Sequence, residues 1–216
     1  MSDLTKLLRL MFQAHPWHGV SPGADAPQRV QAFIEIVPTD TIKYELDKES
    51  GHLKVDRPQR FSSLCPTLYG LIPQSYCGPK IASLAGASLK REGLKGDGDP
   101  LDICVISERG IPHGNLLLSC IPIGGMLMID HGEVDDKIIA VLEDDVAFGG
   151  ISDLSDCPEG LIDRLRHYFL SYKQLPGDTT RMVDIPEVYG KDRAHKVIST
   201  SFEDYRDAYG EPDKRI

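Results

Sequence analysis

The stretch GDGDPLDICVI, residues 96–106, joins a dense acidic cluster to an apolar run. Asp97, Asp99 and Asp102 stand within seven positions, with two glycines and a proline and no basic residue among them. Carboxylates this close raise one another's pKa unless a cation lies between them. The apolar run over 101–106 has the length of a short strand. The stretch therefore predicts a strand whose leading edge carries carboxylates that need a cation.

Strand patterns recur through the first 145 residues or so, separated by turn residues. In the strand predicted over 29–37, Glu35 lies on the face opposite its isoleucine neighbours. In the strand predicted over 41–47, Lys43 and Glu45 share the polar face. This spacing favours a small barrel or sandwich over a parallel α/β sheet. Further strands are predicted at 52–56, 115–123 and 137–143.

The pattern then changes to a helical period. Asp156 is the predicted N-cap of a helix that Pro176 and Gly177 terminate. A second helix is predicted over 191–209, with its apolar residues on one stripe. The fold class is thus mainly β with flanking helices (α+β), the helices being packed against a β core. Residues 70–96 are predicted to form an extended surface loop with room for a helical turn.

Length and composition bound the class of protein. A chain of 216 residues with 41% apolar content predicts a single domain over 1–216. Its formal net charge of −9 argues against a nucleic-acid partner. The five cysteines form no CxxC pair, which favours reduced thiols in a cytoplasmic protein. The first 19 residues have no signal-peptide pattern and no membrane anchor, so no membrane partner is expected.

Two rival binding motifs do not fit the acidic stretch. An EF-hand loop counted from Asp97 needs an oxygen ligand at its fifth position, where Leu101 stands. A dinucleotide fingerprint needs glycine at that position, and its phosphate would face three carboxylates. A plain polar turn before a strand stays open at this point, because Asp and Gly are the usual turn residues.

A second acidic segment, DHGEVDDK at residues 130–137, makes it less probable that the first acidic stretch is only a polar turn. Asp130 and Asp135 can join Asp97 and Asp102 if the ends of the two strands meet. Hard oxygen ligands at this density suit Mg²⁺, which binds carboxylates and commonly shares its shell with a phosphate. Zinc is disfavoured, because the one close histidine pair, in HPWH at 15–18, contains a proline.

Several segments resemble, in order and in spacing, those of the soluble family I inorganic pyrophosphatases. The resemblance runs from about residue 33 to 175 and implies a five-stranded OB-like β-barrel with flanking helices. It also implies a homo-oligomer that hydrolyses pyrophosphate to two phosphates, through a bridging water activated by several Mg²⁺ ions per active site. The segments are IEI, IKYELDKESG, VDRP, YG, GDGDPLDICV, DDKIIAV and HYFLSYK.

The same resemblance implies a role for each site residue. Asp99 is implied to be the general base, and Tyr69 to support the phosphate and the surroundings of the nucleophile. The implied metal ligands are Glu35, Glu45, Asp97, Asp102, Asp130 and Asp135. The implied substrate-binding residues are Lys43, Glu45, Arg57, Tyr69, Lys137, Tyr172 and Lys173.

Three departures mark the chain as a divergent member of that family. Cys65 stands where the family usually has a tyrosine, and His131 stands where an acidic residue is common. Segment 70–96 is longer than in typical bacterial members. Two alternatives follow: a hydrolase of other phosphoanhydrides, such as short polyphosphate or nucleotides, or a non-catalytic OB-like module that binds a metal or ligand.

Overall fold

The computed structural model describes residues 12–175, 177–179 and 182–210. Within them lie ten strands, three α-helices and one 3₁₀ helix. The strands are β1 Val30–Ile36, β2 Ile42–Leu46, β3 Leu53–Pro58, β4 Leu68–Leu71, β5 Lys95–Gly96, β6 Asp102–Ile106, β7 Leu116–Asp130, β8 Glu133–Val134, β9 Lys137–Leu142 and β10 Val183–Gly190. The helices are α1 Pro79–Leu89, the 3₁₀ helix Leu154–Asp156, α2 Glu159–Ser171 and α3 Lys191–Tyr209.

Five strands close into a ring in the order β1, β4, β6, β9, β7, because β7 also pairs with β1. The pairs are antiparallel apart from β6 with β9, which is parallel. The predicted five-stranded OB-like barrel with helices packed against it is confirmed. β2 and β3 form a separate hairpin, whereas β10 and β8 extend the sheet from β7.

The long strand β7 holds the ring together, since its two halves pair with different neighbours. Its first half pairs with β1, and its second half pairs with β9 and β10. Gly124 and Gly125 lie where β10 crosses. A Cβ at Gly124 would lie 2.5 Å from the Tyr189 carbonyl oxygen, and one at Gly125 would lie 2.6 Å from the Tyr189 ring. Only glycine allows the strands to approach this closely.

The apolar core lies inside the ring and extends to both helical sides. Ile34, Ile103 and Leu127 lie in the buried cluster that reaches Val197 of α3. A second cluster packs α2 against the barrel. A smaller one surrounds Trp17, whose indole Nε1 donates a 2.7 Å hydrogen bond to the Ser75 carbonyl oxygen. In the described part of the chain no helix is long and apolar enough to cross a bilayer.

Several local predictions need correction. Segment 70–96 is not an extended loop, because it contains α1, whose inner face is buried. Asp156 does not cap α2: it closes a reciprocal capping box with Asp153 around the 3₁₀ helix, and Pro158 precedes α2. Strands β4 and β10, and the two-residue strands β5 and β8, were missed. The predicted helix over 191–209 is confirmed as α3, whereas the predicted stop at Pro176 lies outside the described residues.

Helix α1 is capped by a side chain from another helix. Its own N-cap, Gly78, has no side chain, and Pro79 occupies the first turn. Asp204 of α3 accepts hydrogen bonds from the backbone N–H groups of Gly78, Lys80 and Ile81, at 3.1, 3.0 and 2.9 Å. The carboxylate thus satisfies donors that a helix N-terminus leaves unpaired.

We expect Asp204→Ala to lower the free energy of unfolding by about 1–3 kcal/mol, because three backbone donors lose a buried acceptor. Urea unfolding followed by circular dichroism measures the loss. Asp207→Ala is the matched control: Asp207 lies on the same helix, is 67% exposed and pairs with Lys80 at 2.9 Å. An exposed pair contributes at most about 1 kcal/mol. Equal losses in the two variants would contradict the capping role.

Candidate active site

A cleft of about 290 Å³ opens at one end of the barrel. It lies where β6 and β9 begin, where β7 ends, and between β2 and α2. Because β6 and β9 are parallel, Asp102 and Lys137 are register partners at this end. The residues singled out in the sequence that line the cleft are Glu35, Lys43, Glu45, Tyr69, Asp97, Asp99, Asp102, Asp130, Asp135, Lys137, Tyr172 and Lys173.

The ammonium group of Lys137 lies at the centre of the cleft floor, with only 3% of its side chain exposed. It forms ion pairs with Asp102 Oδ2 and Asp135 Oδ1. Burial lowers the pKa of Lys137, but the two carboxylates outweigh burial and hold this pKa well above its ordinary value. Tyr69 donates its hydroxyl to the same Asp102 oxygen. Lys137 therefore neutralises part of the charge of the two acidic segments, through one carboxylate from each.

Asp97 and Asp135 form a pair of neighbouring carboxyls whose pKa values are both raised. Burial, together with the charge of Asp135, raises the pKa of Asp97 to about 9, and burial also raises the pKa of Asp135. Asp97 Oδ1 accepts a 3.0 Å hydrogen bond from the Asp99 backbone N–H. Gly98 between them has a φ of +77°, a conformation that favours glycine. The turn thus directs Asp97 inward, and the cleft holds more negative charge than Lys137 alone neutralises.

Asp99 stands at the mouth of the cleft, apart from the buried pair. Its side chain is 42% exposed and forms an ion pair with Lys48. Lys48 was not assigned a role from the sequence, although it lies within the segment IKYELDKESG. It lies in the turn that joins β2 to β3. Asp99 is thus the accessible carboxylate of the GDGDPLD stretch.

The hairpin of β2 and β3 supplies the opposite wall. Lys43 Nζ lies 2.9 Å from Asp56 Oδ2 and 3.5 Å from Glu45 Oε2, so Lys43 and Glu45 share one strand face as predicted. Glu35 is only 6% exposed, and it accepts a 2.7 Å hydrogen bond from the Leu46 N–H. The predicted shared face of Ile34 and Ile36 is not observed, because a bulge between them places the two side chains in different buried clusters. Burial, with the charge of Asp102, raises the pKa of Glu35 to about 8.

The end of α2 brings further cationic and aromatic groups. Lys173 forms an ion pair with Asp130 Oδ2, while Asp130 Oδ1 is buried with no hydrogen-bond partner among the described residues. Arg57 does not line the cleft itself. Its guanidinium carbon lies 5.9 Å from the centre of the Tyr172 ring, and its Nη1 is buried without a described partner. Unsatisfied donors and acceptors of this kind are costly to bury.

Sequence reasoning gave no site role to four polar residues that line the cleft: Tyr44, Lys48, Glu133 and Tyr168. His131, noted in the sequence only as a departure, also lines it. Glu133 lies inside the quoted segment DHGEVDDK, so the acidic run itself was the available signal. Tyr168 lies inside the quoted segment HYFLSYK, where only Tyr172 and Lys173 were given a role.

Comparisons with known proteins agree on the family. The family model described as inorganic pyrophosphatase matches residues 32–206. The chain belongs to the inorganic pyrophosphatase family. An inorganic pyrophosphatase of Chlamydia muridarum is 51% identical over 195 residues, covering 88% of this chain and 93% of its own. Soluble inorganic pyrophosphatase 1 of Arabidopsis thaliana is 36% identical over 171 residues, covering 79% and 72%.

Solved inorganic pyrophosphatases share the fold. The crystal structure of the enzyme from Thermus thermophilus superposes with a TM-score of 0.73 at 27% identity, covering 88% of this chain and 99% of its own. The one from Neisseria gonorrhoeae gives 0.71 at 30% identity, covering 87% and 96%. The OB-like barrel is therefore the fold of solved members of the inorganic pyrophosphatase family.

Proposed function

We propose that this cleft hydrolyses pyrophosphate to two phosphates and that it uses Mg²⁺ to do so. The observation that carries the proposal is the convergence of eight carboxylates with four lysines at one barrel end. Pyrophosphate is a dense polyanion, so its hydrolysis depends on charge neutralisation and positioning. The lysines offer cations to the phosphates, and the carboxylates offer ligands for the metal.

The residues of the cleft fit Mg²⁺. Asp130 Oδ1 is a buried acceptor without a hydrogen-bond partner among the described residues, with His131 Nε2 3.8 Å away. Burial and the charge of Asp135 raise the pKa of Asp97 to about 9, and a bound cation would offset both. Across the described ranges no three His, Cys, Asp or Glu side chains form a preassembled metal cage. Lysine ammonium groups lie among the carboxylates instead. Oxygen donors of this kind suit Mg²⁺; the ligands would be Glu35, Glu45, Asp97, Asp102, Asp130 and Asp135.

Bound Mg²⁺ would offset the charge of the phosphates and lower the pKa of water. The chain's own residues do the rest. Lys43, Arg57 and Lys173, together with Lys137 and Tyr172, bind and orient the phosphoryl oxygens. Asp99, the exposed carboxylate, accepts the proton of the attacking water. Tyr69 fixes Asp102 by donating its hydroxyl to that carboxylate.

Two further proposals concern the setting of the reaction. The five cysteines are buried free thiols, which favours a reducing compartment, and we place the protein in the cytoplasm. The family resemblance supports a homo-oligomer, which light scattering on a sizing column measures directly.

The purified protein should release phosphate from pyrophosphate when MgCl₂ is present and should stop when EDTA removes the metal. Phosphate is measured colorimetrically. Tripolyphosphate and ATP, assayed in parallel at equal concentration, test the alternative of a broader phosphoanhydride hydrolase. Release from those two substrates at the rate seen with pyrophosphate would favour that alternative. No release from any of the three would favour a non-catalytic binding module.

A further inference from the structure

Tyr168 is a polar group in the cleft that the proposed roles leave unused. It lies on α2, is 8% exposed, and lines the cleft beside Tyr172 and Lys173. Its ring centre lies 5.3 Å from that of Tyr172 and 5.1 Å from that of Phe169, the latter in an edge-on arrangement. Packing on both sides fixes the ring, so the direction of its hydroxyl is fixed as well.

The side chain of Tyr168 has two neighbours of unlike character. One is Cys65, which is 1% exposed and packs in the same buried cluster as Tyr168. The other is Arg57, whose guanidinium carbon lies 5.9 Å from the centre of the Tyr172 ring, the ring that packs on Tyr168. A thiol is a weak hydrogen-bonding partner, so the phenol keeps its donor for a stronger acceptor. Burial raises the pKa of Tyr168 well above its ordinary value, so the phenol is a proton donor at neutral pH.

The Arg57 guanidinium needs an anion at the same place. Its Nη1 is buried and has no hydrogen-bond partner within the described ranges. A phosphoryl oxygen that reaches Arg57 would also come within reach of the neighbouring phenol. Phosphate oxygens accept hydrogen bonds from charged and neutral donors together, and such bonds to a charged acceptor are strong.

We propose that Tyr168 is a substrate-binding residue that donates its hydroxyl to a phosphoryl oxygen held by Arg57, in space left open by the small side chain of Cys65. The inference rests on the proposed function, since it names a further contact for the same substrate. The proposal treats Tyr168 and Cys65 as one unit. An aromatic ring at position 65 would compete with the Tyr168 ring for the same volume. The hydroxyl that contacts the phosphate therefore belongs to α2 and not to the segment that precedes β4.

The test compares Tyr168→Phe with wild type, using pyrophosphate at saturating MgCl₂. We expect KM to rise about tenfold, the size of one lost hydrogen bond to a charged group, while kcat changes by less than about threefold. Titration calorimetry with inorganic phosphate should show a matching rise in Kd, of the same order. Tyr205→Phe is the matched control: it removes the same atom from a buried ring that does not line the cleft.

The double variant Cys65→Tyr/Tyr168→Phe tests the shared volume. Returning a phenol from position 65 should restore KM and the phosphate Kd to within about threefold of wild type, whereas Cys65→Tyr alone should lower the melting temperature through overpacking. Unchanged KM and Kd in Tyr168→Phe overturn the proposal. If the double variant does not fold, the phosphate Kd of Tyr168→Phe alone decides.

The outcome can be separated from that of the proposed function. A wild-type protein that binds phosphate but does not hydrolyse pyrophosphate would refute the proposed function and leave this inference standing.

Discussion

Asp99→Asn should lower kcat for pyrophosphate by about 10²- to 10⁴-fold, the range that a positioned general base contributes. The amide is nearly isosteric with the carboxylate, but it cannot accept the proton. Asp99 is the exposed carboxylate of its turn, so its loss leaves the buried pair of Asp97 and Asp135 in place. The melting temperature should therefore stay close to that of wild type. Steady-state phosphate release between pH 6 and 9 measures the loss.

The control for this substitution is Asp144→Asn. Asp144 is exposed, lies outside the cleft and has a φ of +62°, a conformation that asparagine also adopts readily. Its substitution removes the same charge from the chain and should leave kcat unchanged. Full activity of Asp99→Asn over the whole pH range would show that another group takes the proton, even if the enzyme class stands.

Lys137→Met should destabilise the fold by about 3 kcal/mol in the absence of metal, because it leaves Asp102 and Asp135 buried without their cation. Methionine keeps the length and apolar stem of the side chain, so the loss reports mainly on charge. The rate of pyrophosphate hydrolysis should fall as well, since the substitution removes a proposed ligand of the substrate's phosphoryl oxygens. Urea unfolding at pH 8 in EDTA measures the stability, and phosphate release measures the activity.

The pH dependence of that deficit follows from the carboxyl pKa values. Burial raises the pKa of Asp135 on folding, so this group destabilises the folded state at pH values above its unfolded pKa. Without Lys137 the penalty grows, and it disappears as falling pH protonates the carboxyl. The deficit of Lys137→Met should therefore shrink between pH 8 and pH 5.

Lys54→Met is the matched control for the lysine. Lys54 is 51% exposed and pairs with Asp47 at 3.6 Å, so its removal should cost less than about 1 kcal/mol at either pH. A deficit in Lys137→Met that does not change with pH would contradict the account of Lys137 as the counter-charge of the buried carboxyls.

The predictions for the fold succeeded where the pattern was local. The six strands marked by alternation are present, and α3 matches its predicted range because its apolar stripe is regular. The failures have a common physical cause. Helix α1 has a glycine N-cap and takes its cap from Asp204, 126 residues later in the chain, so Pro79 in its first turn is the one local start signal at this helix. Strand β10 alternates but is interrupted by Pro186, which hides it.

For the site, the sequence supplied the residue types and the structure supplied their relations. The acidic segments and the lysines could be predicted as site residues from their spacing and from the family resemblance, and their catalytic roles stay proposals. The sequence did not predict which carboxylate forms an ion pair with which lysine. Lys48 pairs with Asp99 across 51 residues, and Lys173 pairs with Asp130 across 43.

From its residues alone, GDGDPLD is predicted to be an acidic turn before a strand that needs a cation, and its segment pattern resembles one enzyme family. The difference between the three aspartates appears only in the folded chain. Parallel pairing of β6 with β9 sets Lys137 against Asp102, and the glycine turn at 98 separates a half-buried Asp97 from an Asp99 whose side chain is 42% exposed. The charge and spacing of these residues are local properties of the sequence. Their burial and their ion-pair partners depend on strands that come together only when the barrel closes.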